Sequence, residues 1–195
     1  MMEKKVDKNL NPKIRVYMAC SMDGYIAGPN NDLRWLNCDH SRAGDLSNNP
    51  NFLQFDQFIN EVGCLLMGRT TYNVIEAMGQ WVYGDVPVLV ATHTPIKNPV
   101  ASNVSSISGS INELITQAKS KAGSKDVYLD GGNLIQQAFS ASLVDEITLT
   151  YIPIILANGL RLFENIQNSQ SIQFTKYASW SGMFQLSASI IRTAN

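Results

Sequence analysis

The chain has 195 residues, 45% of them hydrophobic and 16% charged, with a formal net charge of −1. That length predicts a single domain able to bury a core without disulfide or metal staples, and the near-neutral charge offers no footprint for nucleic acid or an anionic membrane. The longest apolar runs, such as residues 152–157, fall far short of the roughly 20 residues that a bilayer span requires.

Residues 1–12 are polar, lack the apolar segment of a secretory signal, and read as a flexible leader before one domain over residues 13–195. Three cysteines, Cys20, Cys38 and Cys64, show no paired spacing, and two lie in apolar runs. That pattern predicts buried thiols in a reducing compartment, hence a cytoplasmic protein. The histidines are His40 and His93, with no Cys/His cluster, so no metal site is expected.

Residues 13–20 alternate as a strand, with Ile14, Val16 and Met18 on one side. Residues 21–37 are rich in Gly, Asn and Asp and read as a long loop, pinned by Ile26, Leu33, Trp35 and Leu36. A helix is predicted over residues 52–61, a strand over 64–67, and a helix over 70–78 with Val74, Ile75 and Met78 on one face. The run 87–91 predicts a strand covered on both sides. Ser110 and Glu113 match a capping box, so a helix follows, with room for one more strand before it. A short strand at 127–129, a helix from 134, a strand over 145–156 bent at Pro153, and a hairpin of strands 171–180 and 184–192 complete the chain. Alternating strands and helices predict an α/β fold: a mostly parallel central sheet, helices on both faces, and antiparallel C-terminal strands.

Two turns stand out. The apolar run Cys64-Leu65-Leu66-Met67 stops at Gly68, and Arg69, Thr70 and Thr71 follow. A strand, a glycine and a helix start leave unpaired N–H groups at the strand end, and with a cation and two hydroxyls the place suits a phosphate. Gly131-Gly132 forms a second turn of the same kind, between the 127–129 strand and the next helix. Each alone also fits an ordinary strand-to-helix turn; together they could hold the two phosphates of a dinucleotide. Neither has the spacing of the Rossmann fingerprint or the P-loop.

Four segments in this order resemble the dihydrofolate reductase superfamily: residues 16–36 (VYMACSMDGYIAGPNNDLRWL), 65–72 (LLMGRTTY), 88–94 (VLVATHT) and 127–135 (VYLDGGNLI). More narrowly, Ser21, Asp23, Gly24, Ile26 and Ala27, with Leu143-Val144-Asp145-Glu146, Pro153 and Leu162-Phe163, resemble the reductase domain of the bifunctional riboflavin-biosynthesis deaminase-reductase and its stand-alone relatives. The resemblance implies a dihydrofolate-reductase-like three-layer fold, NADPH at the C-terminal edge of the sheet, and hydride transfer to a small heterocycle such as 5-amino-6-(5-phosphoribosylamino)uracil. It implies cofactor contacts from Ala19, Ile26 and Gly28 at the nicotinamide, and from Gly68, Arg69, Thr70 and Thr71 at phosphates. Thr92 and His93 would lie at the adenosine, and Gly131, Gly132 and Asn133 at the pyrophosphate. Substrate contacts would fall to Ser21, Asp23, Trp35 and Phe52.

Phe52 matches, by ungapped count, the position where folate reductases carry their acid. The nearest acid on that helix is Asp56, and the acid directly before the Gly-Gly pair is Asp130; these are the candidate catalytic carboxylates, with Asp130 preferred. The alternatives are a dihydrofolate reductase and an NADP-binding module without turnover. No zinc-deaminase motif occurs. The expected partners are a small-molecule substrate and a second copy of the chain, paired through the C-terminal strands.

Overall fold

Strand β3 (Val62–Gly68) shows how the central sheet is made. Cys64 and Leu66 enter one core layer, whereas Leu65 and Met67 enter the other. A strand covered on both faces needs no polar side, so its sequence is an unbroken apolar run. The structure is a computed structural model and describes residues 11–37 and 49–192. Most of the expected leader, Cys38 and His40 lie outside the described residues.

The other elements, in chain order, are β1 (Ile14–Ser21), β2 (Tyr25–Ala27), α1 (Phe55–Asn60), then β3, α2 (Arg69–Ala77), β4 (Val88–Ala91) and β5 (Val104–Ile107). There follow α3 (Ile111–Ala122), β6 (Asp126–Asp130), α4 (Gly132–Ser140), β7 (Glu146–Ile152), β8 (Leu160–Arg161), β9 (Ser171–Trp180) and β10 (Met183–Ile191). Eight strands form the sheet in the order β5-β4-β3-β6-β1-β7-β10-β9. The first six run parallel, and β10 is antiparallel to both β7 and β9. Helices α3 and α4 cover one face; α1 and α2 cover the other through Phe58 and Tyr72. This is the predicted three-layer α/β architecture.

The late strand β6 enters between β3 and β1. Chain direction across the sheet reverses there, and such a point opens a crevice at the C-terminal strand ends.

Several local expectations are corrected. Helix α1 begins at Phe55, not at residue 52. Asn49 Oδ1 accepts the Asn51 N–H at 2.9 Å and the Asn49 carbonyl accepts that of Phe52 at 3.0 Å, so a side-chain turn competes with the helix. Helix α2 stops at Ala77, and Met78, expected on its buried face, is 51% exposed. The loop over residues 21–37 is not structureless: β2 pairs with β8, Tyr25 opposite Arg161 and Ala27 opposite Leu160. Strands this short carry no periodicity to read. The strand expected over 145–156 ends at Ile152, before Pro153, which has no N–H to give a ladder.

The predicted hairpin turn is present, with Ser181 and Gly182 at φ 49° and 79°, the left-handed pair that matches strand twist. The Ser110–Glu113 capping box also forms, Glu113 Oε2 accepting the Ser110 N–H at 2.7 Å. Cys20 and Cys64 are buried, and burial pushes both thiols up to about 12. Among the described residues no cluster of His, Cys, Asp or Glu could hold a metal, and no helix is long and apolar enough to cross a membrane.

Candidate active site

Both glycine turns lie at the reversal point, on neighbouring strands. Met67 at the end of β3 is the register partner of Asp130 at the end of β6. Gly68 is the N-cap of α2 and Gly131 that of α4, and neither helix has a side-chain cap. Two sets of helix N–H groups therefore open side by side, each at the positive end of its helix dipole, a setting that favours an anion.

The two turns are pressed together. Gly131 has φ 95°, and a Cβ there would lie 2.4 Å from Thr71 Oγ1. Only glycine permits both that conformation and that approach. Arg69 sits half-buried at the mouth, its Nε bonded to Asn73 Oδ1 at 3.0 Å and its Nη1 to the Thr94 carbonyl at 2.9 Å. The turn after β4 is itself braced by Thr92, whose Oγ1 accepts the Thr94 N–H at 3.2 Å.

The floor is acidic. Strand alternation sends Val127 and Leu129 into the α3/α4 layer and Tyr128 into the other, so Asp130, two residues further on, shares the Tyr128 face. Asp130 is 8% exposed. Its Oδ1 accepts the Gly131 N–H at 2.7 Å, and Tyr83 donates its hydroxyl to Oδ2 at 3.4 Å. Burial raises the Asp130 pKa to about 6, against the opposing pull of the Gly131 N–H and the Tyr83 and Tyr128 hydroxyls. Burial, with this carboxylate nearby, keeps both tyrosines firmly protonated. The group can thus accept hydrogen bonds as a carboxylate or hold a proton as an acid close to neutral pH.

These parts enclose a cleft of about 700 Å³. It brings together Gly68 to Thr71 from the first turn, Asp130 to Asn133 from the second, and Ala19 and Ile26 from β1 and β2. The remaining expected site residues do not line it. Gly28 gives its N–H to the Asp32 carbonyl at 2.9 Å, and Trp35 is buried with Nε1 on the same carbonyl at 3.1 Å. Ser21 donates to Asp23 Oδ1 at 2.6 Å, while Asp23 accepts the N–H groups of Leu156 and Ala157 at 3.1 and 2.8 Å. The Ser21 hydroxyl and the two backbone N–H groups lower the Asp23 pKa to about 2. Ser21 and Asp23 thus tie the 21–24 turn to the chain after β7.

Phe52 packs on Trp180, with ring centroids 6.2 Å apart. Asp56 is exposed in the first turn of α1, and Thr92 and His93 lie in the turn behind Arg69. Sequence reasoning missed Tyr83 and Tyr128, both at the floor, and Gln136, Glu164 and Asn165 on a wall. Alternation back from Asp130 could have found Tyr128, and helical spacing from Gly132 could have found Gln136. Tyr83 comes from the turn between α2 and β4 and carries no local signal.

A reversal-point cleft, paired helix starts and a buried acid beside them thus meet at the C-terminal strand ends, where ligands of open α/β folds gather. Residues 12–183 match the RibD C-terminal domain, and the chain belongs to that family. A Shewanella sp. PV-4 protein whose name places it provisionally in riboflavin biosynthesis superposes with a TM-score of 0.77 at 28% identity, over 92% of this chain and 99% of that one.

The Thermotoga maritima diaminohydroxyphosphoribosylaminopyrimidine deaminase/5-amino-6-(5-phosphoribosylamino)uracil reductase shares the fold at TM-score 0.64 and 12% identity; 93% of this chain covers 57% of that one. Two Bacillus subtilis (strain 168) proteins are similar in sequence. YwjB is 25% identical over 83% of this chain and 88% of its own length, and YyaP is 24% identical over 89% and 93%. Both are named as uncharacterized proteins.

Proposed function

We propose that the protein is an NADPH-dependent reductase that passes a hydride to a small heterocycle, 5-amino-6-(5-phosphoribosylamino)uracil or a related compound. The observation that carries this reading is the meeting of two uncapped helix starts in one cleft, beside a buried carboxylate. The donor set fits a dinucleotide phosphate: backbone N–H groups from α2 and α4, the Thr70 and Thr71 hydroxyls, and the Arg69 guanidinium.

When bound, NADPH supplies the hydride. The chain's own residues do the rest. The two turns bind phosphates, and Arg69 offers a cation to the 2′-phosphate that separates NADP from NAD. Ala19 and Ile26 form apolar wall against the ring that reacts. Asp130 accepts hydrogen bonds from amines or hydroxyls of the substrate and so sets its orientation, a contribution that can be large when reacting atoms must meet at close range. Tyr83 donates its hydroxyl to that carboxylate and holds it in place.

The name of the Thermotoga maritima relative supports the substrate class. The folate-reductase alternative has less support, because Asp56, the acid on α1, is exposed and does not line the cleft. The test is a titration with NADPH followed by a screen of pyrimidines, pterins and quinones for loss of nicotinamide absorbance. Binding with no oxidation across the panel would favour a nucleotide-binding module instead.

A further inference from the structure

The charges that line the cleft are sorted by side. The cation leans toward β4: Arg69 Nη1 donates to the carbonyl of Thr94, in the turn after that strand, at 2.9 Å. The acids lie the other way. Asp130 ends β6, on the opposite side of β3 from β4, and Glu164 follows β8, the partner of β2. Strands β4 and β6 are two strand spacings apart, roughly 10 Å. Among the described residues, Arg69 is the one basic side chain that lines the cleft, against the carboxylates Asp130 and Glu164.

Two further cations border the cleft in sequence and are engaged within its wall. Arg34, next to the lining residue Leu33, holds Asp32 through Nε and Nη2 at 2.8 and 2.7 Å. Arg161, next to Leu160, lies over the Tyr25 ring at 4.3 Å and donates Nη1 to the Asp23 carbonyl at 3.1 Å. Both guanidiniums serve the 21–37 segment and its contact with β8.

We propose that the substrate is an amino-heterocycle without a phosphate group, taken as the free base or as its nucleoside, and held by Asp130 and Glu164. The proposal rests on the cofactor reading above, because it assigns the anion-binding groups to NADPH. The pyrophosphate takes the two helix starts and the 2′-phosphate takes Arg69, so each of these groups has its anion. Ala19 of β1, the neighbour of β6, places the reacting ring on the acidic side.

A phosphate ester carries about −1.5 to −2 charges near neutral pH. On the acidic side it would give up water, meet two carboxylates of its own sign, and gain no charge-assisted contact in return. An exocyclic amine or a ring N–H suits the same place, since both carboxylates accept hydrogen bonds and neither can donate when ionised. Ile26 and Leu160 supply apolar surface for the body of the ring. The Thermotoga maritima relative is named for a phosphoribosyl compound, and at 12% identity its likeness extends to the fold. The phosphate is where the two proteins part.

Fluorescence titration with NADPH comes first, and a wild type that binds none refutes the cofactor reading and this inference with it. On the NADPH-saturated protein, calorimetry with ribose 5-phosphate should show no saturable binding to wild type. Glu164→Lys puts a cation on the acidic side and should gain that binding. Glu164→Arg repeats the insertion, and thermal melts check that both variants fold. Should neither insertion gain binding, Glu164 does not reach the substrate, and its part in the proposal falls.

The second measurement uses a matched pair, 5-amino-6-(5-phosphoribosylamino)uracil and the same compound without its phosphate. Loss of nicotinamide absorbance should give the unphosphorylated member the higher kcat/KM by about tenfold or more, the worth of a charge-assisted contact that the phosphate does not find. In Glu164→Lys that ratio should shrink. Saturable ribose 5-phosphate binding to the wild-type complex overturns the proposal and leaves the cofactor reading standing. So does a kcat/KM for the phosphorylated member equal to or above that of its partner. If neither member is reduced, the ribose 5-phosphate titration decides.

Discussion

The two glycine turns look alike in sequence and differ in construction. At the first, Gly68 is in extended backbone, and a Cβ added there would meet nothing closer than Leu134 Cγ at 4.0 Å. At the second, Gly131 has positive φ and its Cβ position is filled by Thr71 Oγ1. The first turn supplies the cation, Arg69, and hydroxyls at an open mouth. The second supplies the acid, Asp130, at a closed floor. A glycine can therefore be demanded by the fold itself or only by what the fold is meant to hold, and substitution tells the two apart.

The largest expected effect is at the closed turn's acid. Asp130→Asn should leave NADPH affinity near wild type while turnover falls by about 10²-fold, as positioning losses can; steady-state kinetics with the identified substrate check it. Wild-type turnover should rise with pH through about 6 as the carboxylate ionises, and the variant should lose that limb. The same residue has an opposite signature in stability.

The folded pKa of Asp130 is about 6, above the ordinary 3.8. The native state thus holds the proton more tightly than the unfolded chain, and this contribution is complete below about pH 4 and lost as pH rises through 6. Asp130→Asn, neutral throughout, should match wild type at low pH and exceed it above pH 6 by up to about 3 kcal/mol. Melting curves across pH would show this, and equal pH profiles would contradict the buried-acid assignment.

At the open turn, Arg69→Ala should weaken NADPH binding by roughly one to two decades, the worth of a charge-assisted hydrogen bond of about 1.5–3 kcal/mol. NADH binding should change little. Fluorescence titration of both cofactors decides it, and wild type with equal affinities for the two would remove the case for NADP.

Gly131→Ala should destabilise the fold by about 1–3 kcal/mol, from positive φ and the displaced Thr71 hydroxyl. Urea unfolding without ligand reads this directly. The smallest stability effect belongs to Gly68→Ala, expected within about 0.5 kcal/mol of wild type. If its NADPH affinity nevertheless drops, the space over Gly68 belongs to the cofactor. If both glycines respond alike, the contrast between the turns is wrong.

Much of the fold was legible in local pattern, because its signals are local. Unbroken apolar runs marked strands buried on both faces, Ser110 and Glu113 marked a helix start, and Ser181-Gly182 marked a hairpin. Glycine, cation and hydroxyls after a strand marked residues that line the cleft, since strand-to-helix turns write their backbone needs into a few consecutive residues. Pairing between distant short segments was not legible. Strands β2 and β8 are three and two residues long, too short for a period, and they exist because each finds the other.

Ser21 and Asp23 illustrate the same limit within the site motif. Their types suit substrate contact, and that the Asp23 oxygens accept the Leu156 and Ala157 N–H groups is visible only in the tertiary structure. Asp130 was visible as a carboxylate beside two glycines. Only packing of Tyr83 and Tyr128 around it made it a buried acid with a pKa near neutral. Which side chains occur at strand ends is a property of the sequence; the dielectric and the hydrogen-bond partners each one meets are set by chain segments that arrive from elsewhere.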